Sequence, residues 1–403
     1  MGREAGQDAL TDAGISYDKI QAVVASYCYG EPTCGQRAAY ELGLSGVPIF
    51  NVNNNCSSGS SALMLARRLV QSGLEDCVLV PGNCFVFIQL RTFTYTSKNV
   101  KLTASFFTGF EKMERGLSER YNDRTSPVKP QMDHMVSIGA EAAREYMKKY
   151  PDTKVSDFVN IAYKNHRHSV NNPKATIQKA IPPEVIRSKL PLCQPITFWM
   201  SAPVSDGGAA AIVCSEDFVR KHGLEDKAVE IIAQHMVTDT KESFQQSFMD
   251  LSGYKMAQRA AQLCYQDTKL SPSDVDVLEV HDCFSCNEMF MYEALQLARE
   301  GEGAELIRNA KWIKNSNGGE LCVMNGRWVV NPSGGLESKG HPIGATGLAQ
   351  CAELVWQLRD QAGKRQVEGA KVAMQHNYGI GGAAVVTMYR RYKDQDQRLL
   401  ARL

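Results

Sequence analysis

The sequence predicts an α/β protein built from two related halves. Apolar runs rich in β-branched residues alternate with alanine-rich helical stretches, which is the pattern of strands and helices packed in layers. The same order of segments recurs in the second half of the chain, as an internal repeat would produce. A chain of 403 residues is long enough for two or three domains.

The first half supplies the strands and helices of one unit. An alanine-rich stretch at residues 4–12 predicts a helix, and the apolar run 22–25 predicts a buried strand. A second strand is predicted at 47–52, a helix at 58–71 and a third strand at 76–80. The order of these elements is that of a βαβ-type unit.

The second half repeats this order. A helical stretch at 256–265 precedes a predicted strand at 275–280, which ends in the segment 281–284. When the two halves are placed in register, Cys28 falls on Cys283. Two related halves are the simpler interpretation, and a chance match of two strand–helix units is the alternative.

These observations divide the chain into an N-terminal half at 1–225, a C-terminal half at 226–395 and a tail at 396–403. The first half contains a polar, basic stretch at about 110–200, which predicts an inserted loop domain. It also contains an atypical insert at 83–108, rich in Phe and Thr. Either a foreign insertion or a β-hairpin at the rim would account for the insert.

Composition excludes several classes of protein. A net charge of +1 gives no global attraction to nucleic acid or to an anionic membrane. The 12 cysteines have no disulfide-framework spacing, and no apolar run is long enough for a transmembrane helix. The last three residues, 401–403, fit a small–basic–leucine peroxisomal address. The predicted location is therefore the peroxisome, with cytoplasm or mitochondrion as alternatives.

A cysteine stands at the junction of a predicted strand and helix. Cys56 lies in the turn 53–57, which links the strand at 47–52 to the helix at 58–71. A helix N-terminus favours the thiolate, which is the reactive form of cysteine. Cys56 is therefore a candidate nucleophile, and a buried structural cysteine is the alternative.

A histidine stands between Gly340 and Pro342, just before another predicted helix. Glycine and proline predict a rigid, exposed turn at this point. His341 would be suited there to take the thiol proton of Cys56, as a Cys–His pair requires. A turn histidine without a partner is the alternative.

Two further segments lie at predicted strand ends. The first, 281–284, places His281 and Cys283 where the loops of an α/β sheet build sites, although both could be structural. Cys283 and Cys286 have C-x-x-C spacing, but no second pair accompanies them to make a zinc site. The second segment, 377–382, is a glycine turn whose backbone N–H groups are of the kind that hold an oxyanion, or are simply those of a tight turn.

Together these segments resemble the thiolase family over most of the chain. The likeness rests on N-N-N-C-S-S-G-S at 53–60, H-D-C-F at 281–284, N-P-S-G-G-L-E-S-K-G-H-P-I-G-A-T-G at 331–347 and N-Y-G-I-G-G at 377–382. The H-D-C-F segment is similar to that of the peroxisomal thiolases of sterol-carrier-protein-x type. The resemblance implies the thiolase fold, with two βαβ-rich halves in a layered αβαβα arrangement.

The resemblance also implies an acetyl-CoA or propanoyl-CoA C-acyltransferase that cleaves 3-oxoacyl-CoA. Cys56 would attack the 3-oxo carbon after activation by His341. Cys283 would protonate the departing carbanion equivalent, because Gly379 replaces the cysteine that ordinary thiolases use. His281 would stabilise the enolate oxygen. The backbone N–H groups of Cys56 and Gly381 would hold the tetrahedral oxyanion.

The implied ligands and partners are acyl-CoA, coenzyme A as co-substrate, a second copy in a homodimer and the peroxisomal import receptor. No permanent cofactor and no metal is expected. The basic run 164–168 is a candidate surface for the phosphates of CoA, with a solvated basic face as the alternative. The family opens with a strand before the helix at 4–12, which this chain lacks. A catalytically impaired protein that binds acyl-CoA or lipid is therefore the second hypothesis.

Overall fold

The computed structural model describes residues 1–84, 134–189, 191–203, 205–244 and 247–392. The helices are α1 (Gly2–Ala13), α2 (Cys34–Tyr40), α3 (Ser58–Gln71), α4 (His134–Lys149), α5 (Val155–Ser169), α6 (Pro183–Ser188), α7 (Glu216–Lys221), α8 (Phe248–Leu251), α9 (Tyr254–Thr268), α10 (Ser285–Ala294), α11 (Gly303–Arg308), α12 (Gly335–Lys339) and α13 (Thr346–Leu358). The strands are β1 (Ala22–Cys28), β2 (Ile49–Val52), β3 (Cys77–Cys84), β4 (Pro191–Cys193), β5 (Ile196–Thr197), β6 (Gly207–Cys214), β7 (Val229–Thr238), β8 (Val277–Glu279), β9 (Lys311–Lys314), β10 (Glu320–Met324), β11 (Trp328–Val330), β12 (Val372–Gly379) and β13 (Ala383–Arg391).

The first sheet has the order β2-β1-β3-β6. Strand β1 pairs in parallel with β2 and β3, and β6 runs antiparallel to β3. The apolar run from Ala22 to Ala25 is at most 3% exposed, because helices cover both faces of β1. Burial on both faces explains why this strand reads as a continuous apolar run and not as an alternating one.

The second sheet repeats this topology and extends it. Its order is β7-β13-β12-β8-β11-β10-β9, with β8 parallel to both β11 and β12 and β13 antiparallel to β12. Strand β8 thus corresponds to β1, and β13 corresponds to β6, which confirms the predicted repeat. Strand β7 pairs with the outer edge of β13, whereas none of the described residues pairs with the outer edge of β6.

Two helices pack together between the sheets. Helix α3 contacts β1 and β3, α13 contacts β8 and β12, and the two helices contact each other. Helices α1 and α2 pack on the first sheet and α9 on the second. The result is the layered α/β arrangement that the sequence predicts, with the N-termini of α3 and α13 close to the ends of the central strands.

The predicted loop domain at 110–200 is wrong in its character from residue 134 onward, because α4, α5 and α6 make this part largely helical. Helix α5 packs against α10 and α12, so it is built into the C-terminal half. Residues 85–108 of the predicted insert and the whole tail at 396–403 lie outside the described residues. Among the helices described, none has the length and apolar character needed to cross a membrane.

Candidate active site

Cys56 lies in a tight turn between β2 and α3, two residues before the helix begins. Asn55 takes a left-handed φ of +52°, a conformation that asparagine tolerates better than most residues. The N–H of Ser57 donates to the carbonyl of Asn54 at 3.2 Å and closes the turn. Only 4% of Cys56 is exposed. The structure therefore places Cys56 beside the N-terminus of α3, as the sequence predicts.

The structure brings Cys56 together with both predicted histidines. The Sγ of Cys56 and one ring nitrogen each of His281 and His341 all lie within 4.8 Å of one another. The two imidazole rings meet edge to face, with 5.2 Å between their centroids and an 84° angle between their planes. Residues from three separate loops thus converge on one thiol, and proton transfer between Cys56 and either ring requires little movement.

His341 is buried, which corrects the expectation of an exposed turn. It is 7% exposed, because residues 201–207 and α5 cover the loop that carries it, and its N–H donates to the carbonyl of Pro203 at 3.2 Å. Burial lowers the pKa of His341 to about 3, with a smaller contribution from Lys339. Its Nδ1 lies 2.7 Å from Oγ1 of Thr346. His341 is therefore a neutral imidazole whose Nδ1 is already engaged.

His281 is equally enclosed. It is 2% exposed, and burial together with the neighbouring His341 holds its pKa well below the usual range. Its Nδ1 lies 3.1 Å from Nδ2 of Asn377, a residue of β12. The Nδ2 of Asn377 also donates to the carbonyl of Cys56 at 3.1 Å. The sequence reasoning gave neither Asn377 nor Thr346 a role, although both stand inside the segments that it singled out.

Cys283 follows in the same loop as His281. Its Sγ donates to Oδ1 of Asn287 at 3.7 Å, and its carbonyl accepts from the N–H of Ala202 at 2.9 Å. Burial, with further contributions from Cys286 and Asp282, holds the pKa of the Cys283 thiol well above its usual range. The thiol is therefore protonated at neutral pH. Of the residues described, only Cys56, His281 and His341 share the 4.8 Å cluster, and Cys283 lies outside it.

The loops of His281 and His341 are joined by the carboxylate between them. Asp282 accepts from the N–H groups of Leu336 and Glu337 at 2.7 and 3.3 Å, at the start of α12. It also accepts from Nδ2 of Asn165 at 2.9 Å. A Cβ at Gly335 would lie 2.1 Å from Oδ2 of Asp282, so glycine is required for this approach. These contacts fix the position of the two histidine loops relative to each other.

The predicted basic surface at 164–168 is wrong for three of its members. Lys164 is 1% exposed, and its Nζ lies 2.6 Å from Oε1 of Glu288. His166 and His168 are both fully buried, and burial lowers their pKa values to about 4 and about 3. Arg167 is partly exposed and stacks 4.0 Å from the ring of Trp312. Helix α5 packs between α10 and α12, so this run faces protein and not solvent.

The glycine turn after β12 lies against the loop of Cys56. Gly381 and Gly382 have φ values of +95° and +96°, which favour glycine. A Cβ added at Gly379 would lie 2.2 Å from the carbonyl oxygen of Asn54 and 2.6 Å from Oγ of Ser57. The close approach of the two backbones leaves no space for a side chain at residue 379. This explains in physical terms why the acid that ordinary thiolases carry there is absent.

The largest cavity among the described residues is separate from this cluster. Its volume is about 1090 Å³, and it follows the outer side of β6 and the helix α13. Pro342 and Thr346 line its inner end, but Cys56, His281, Cys283 and His341 do not. The cavity therefore reaches the back of the His341 loop and does not itself hold the candidate nucleophile.

Within the described residues, the same cluster is also the one group whose donor atoms could meet a metal ion. Cys and His are ligands that zinc accepts. However, Asn377 already donates to Nδ1 of His281, so Nε2 of that ring holds the proton and is not free to coordinate. Cys286, the partner in the C-x-x-C spacing, donates instead to the carbonyl of Gly139 at 3.4 Å. The arrangement is suited to proton transfer at a thiol.

Comparisons with known proteins agree with this geometry. Residues 1–191 match the family described as thiolase, N-terminal domain, and residues 238–390 match the thiolase C-terminal domain-like family. The chain is 48% identical to sterol carrier protein 2 of Oryctolagus cuniculus, with 97% of this chain and 67% of that protein covered. It is 31% identical to acetyl-CoA acetyltransferase of Methanothermobacter thermautotrophicus, with 96% and 93% covered.

The solved structures show the same fold at lower identity. Human mitochondrial 3-ketoacyl-CoA thiolase, in a crystal structure with CoA, aligns with a TM-score of 0.67 and 16% identity. The alignment covers 97% of this chain and 91% of that structure. The repeated sheets, the cysteine at the N-terminus of α3 and the identity over nearly the whole chain lead to one conclusion. The chain belongs to the thiolase family.

Proposed function

We propose that the protein is a thiolase that cleaves 3-oxoacyl-CoA with coenzyme A, through an acyl intermediate on Cys56. The products would be acetyl-CoA or propanoyl-CoA and a shortened acyl-CoA. The observation that carries the proposal is the buried cluster in which Cys56 Sγ lies within 4.8 Å of ring nitrogens of two neutral histidines. The names of the relatives, an acetyl-CoA acetyltransferase and a 3-ketoacyl-CoA thiolase bound to CoA, support the same class of substrate.

In the first half-reaction, the Cys56 thiol gives its proton to His341 and its sulfur bonds to the 3-oxo carbon. The tetrahedral oxyanion is held by the backbone N–H groups of Cys56 and Gly381. When the oxyanion collapses, the bond between C2 and C3 breaks and its electron pair passes to a thioester enolate. His281 stabilises the enolate oxygen, and the Cys283 thiol gives its proton to C2.

In the second half-reaction, coenzyme A takes the place of the departed thioester. Its thiol gives a proton to the Cys283 thiolate and its sulfur attacks the acyl carbon on Cys56. The S–C bond to Cys56 breaks, and protonated His341 returns its proton to the Cys56 sulfur. Both cysteines and the histidine are then in their starting states, so every proton is accounted for without an external acid.

The burial of the site supports these roles. A histidine with a pKa of about 3 is neutral before the reaction and is ready to accept a proton. A thiol whose pKa is held above its usual range by burial is a proton donor before it is a nucleophile. Two thiols with different surroundings can therefore serve as nucleophile and as acid.

Two finer features belong to the same proposal. A homodimer is supported by β2, whose outer edge is unpaired among the described residues and whose Phe50 is 40% exposed. Location in the peroxisome is supported by the tripeptide at 401–403 and by the likeness to sterol carrier protein 2.

The test separates acylation from carbon–carbon cleavage. Incubation with acetyl-CoA should add one acetyl mass to the Cys56 peptide, in the wild type and in Cys283→Ala. With 3-oxoacyl-CoA, Cys283→Ala should lose about 10²- to 10⁴-fold in cleavage, because the general acid is gone. The matched control Cys286→Ala removes the neighbouring thiol and should retain activity. An unmodified Cys56 would contradict the proposal and favour the second hypothesis, a protein that binds acyl-CoA without turnover.

A further inference from the structure

We propose that Asn377 and Thr346 are positioning residues that hold His281 and His341 in opposite neutral tautomers. His281 then presents a hydrogen on Nε2 and His341 presents a lone pair on Nε2. The inference deepens the proposed acyl transfer and rests on it for its catalytic meaning. The tautomers themselves are a property of the resting protein and can be measured without substrate.

The orientation of the Asn377 amide is fixed from two sides. Its Nδ2 lies 3.1 Å from the carbonyl oxygen of Cys56, which can only accept, so the amino group faces that way. Its Oδ1 accepts from Oγ of Ser60 at 2.8 Å. The Ser60 hydroxyl is free to donate there because it accepts from Nε2 of Gln375 at 2.9 Å. The chain of bonds therefore has one direction.

This direction determines the tautomer of His281. The amino group of Asn377 donates to Nδ1 of His281 at 3.1 Å, so Nδ1 is an acceptor and carries no hydrogen. A neutral imidazole with an unprotonated Nδ1 carries its hydrogen on Nε2. His281 is thus a donor toward the reacting atoms, which suits a residue that stabilises a developing oxygen charge.

Thr346 imposes the other tautomer on His341. Its Oγ1 donates to the carbonyl of Pro342 at 3.1 Å, which uses the hydroxyl hydrogen. The remaining contact, 2.7 Å from Nδ1 of His341, therefore runs from Nδ1–H to Oγ1. Nε2 of His341 is left with a lone pair, which a base needs.

The pairing matters because both rings are neutral and adjacent. Their centroids are 5.2 Å apart and both face the Cys56 thiol. With both rings in the Nε2–H form, the site would hold two donors and no base. With both in the Nδ1–H form, it would hold two bases and no donor. Asn377 and Thr346 each remove one of these failures.

Direct evidence comes from NMR of the full chain carrying ¹⁵N-labelled histidine at pH 7.5. We expect His281 to show hydrogen on Nε2 and His341 to show hydrogen on Nδ1. Signals are assigned by their loss in His281→Gln and His341→Gln. His168 is an internal reference for the Nδ1–H form, because its Nδ1 faces the carbonyl of Asn331 at 2.9 Å and its Nε2 accepts from a backbone N–H at 2.9 Å. The same tautomer at His281 and His341 would overturn the proposal.

Near-isosteric variants test the cause. In Asn377→Asp the carboxylate can only accept, so Nδ1 of His281 should gain a hydrogen while His341 is unchanged. Thr346→Val should remove the fixed tautomer of His341, and Thr346→Ser should restore it. In kinetics, Thr346→Val should lower kcat about 10- to 100-fold with KM unchanged, as expected when a base is lost. An unchanged His341 signal in Thr346→Val would refute the assignment.

The two proposals fail separately. If the wild type shows the expected tautomers but no acyl transfer, the proposed function is wrong and the positioning roles stand. If acyl transfer occurs but the tautomers do not follow Asn377 and Thr346, the positioning roles are wrong and the function stands.

Discussion

Replacement of Lys164 by methionine should destabilise the protein severely and leave its affinity for CoA unchanged. The Nζ of Lys164 lies 2.6 Å from Oε1 of Glu288, 2.6 Å from Oδ1 of Asn165 and 2.8 Å from the carbonyl of Val330. Both charged groups are at most 1% exposed. Methionine matches the length of the stem but removes the charge, so the Glu288 carboxylate would be buried without its cation.

The expected loss follows from that uncompensated charge. Breaking a fully buried ion pair by removing one partner costs about 3–5 kcal/mol. The double variant Lys164→Met/Glu288→Gln should recover most of the loss, since no charge is then left unpaired. Lys148→Met, on the exposed side of α4, is the control and should change the free energy of unfolding by less than about 0.5 kcal/mol.

The pH dependence gives a second signature of the same cause. Burial raises the pKa of Glu337 to about 8, and Lys164 opposes that rise. A carboxyl group whose folded pKa lies above its unfolded value gains stability as the pH falls through the folded pKa. In Lys164→Met the nearby carboxyl groups take up protons at still higher pH. The deficit relative to the wild type should therefore be larger at pH 9 than at pH 6.

Urea unfolding followed by fluorescence measures these differences, and thiolysis assays give the KM for CoA. A loss below about 1 kcal/mol in Lys164→Met, or a double variant no more stable than the single one, would refute the reasoning. A raised KM for CoA with unchanged stability would instead restore the discarded idea that Lys164 meets the phosphates of CoA.

Three further predictions concern stability, the nucleophile loop and assembly. His168→Gln should lose about 1.4 kcal/mol less than the wild type between pH 7.5 and 5.5 in urea titrations, because burial lowers the pKa of His168 to about 3 and the unfolded chain takes up that proton first. Gly379→Ala should lower the free energy of unfolding by about 1–3 kcal/mol and slow acetylation of the nucleophile, since its Cβ would lie 2.2 Å from the Asn54 carbonyl; unchanged acetylation would contradict the close approach. Phe50→Glu should shift the mass in light scattering from dimer to monomer, whereas Leu44→Glu, at an 82% exposed site, should not.

The elements that the sequence predicts correctly are those with a local signal. Helix 58–71 has the bounds predicted, and the strand at 22–25 is found with a three-residue extension to Cys28. Both are dominated by apolar side chains whose spacing depends only on nearby residues. The Cys56 turn is also local, since a strand, a short polar link and a helix follow in immediate succession.

The errors arise where the partner comes from a distant part of the chain. Charges at 164–168 predict solvent or phosphate, because nothing nearby in the sequence shows that Glu288 provides a buried counter-charge for Lys164. His341 likewise sits between Gly340 and Pro342 as predicted, but its burial depends on residues 201–207. A turn signal specifies backbone shape, and it does not specify what packs over the turn.

Thr346 and Asn377 could in part have been found from the sequence. Thr346 follows His341 by five residues at the start of α13, a spacing at which a hydroxyl can meet the imidazole of the preceding turn. Asn377 gave no such signal. Its role depends on β12 lying beside β8, and strand order cannot be read from one sequence.

The position of the general acid follows from how closely two backbones approach each other. Gly379 lies so near Asn54 and Ser57 that no thiol fits on its backbone, and the tight fit is what fixes the oxyanion turn beside Cys56. The proton donor must then come from another loop, and the Asp282 carboxylate holds one in place next to the start of α12. Introducing Gly379→Cys into Cys283→Ala should therefore fail to restore cleavage, because the new side chain would displace the nucleophile loop before it could donate. Recovery of cleavage in that double variant would show that the acid position is interchangeable and that the close approach does not determine it.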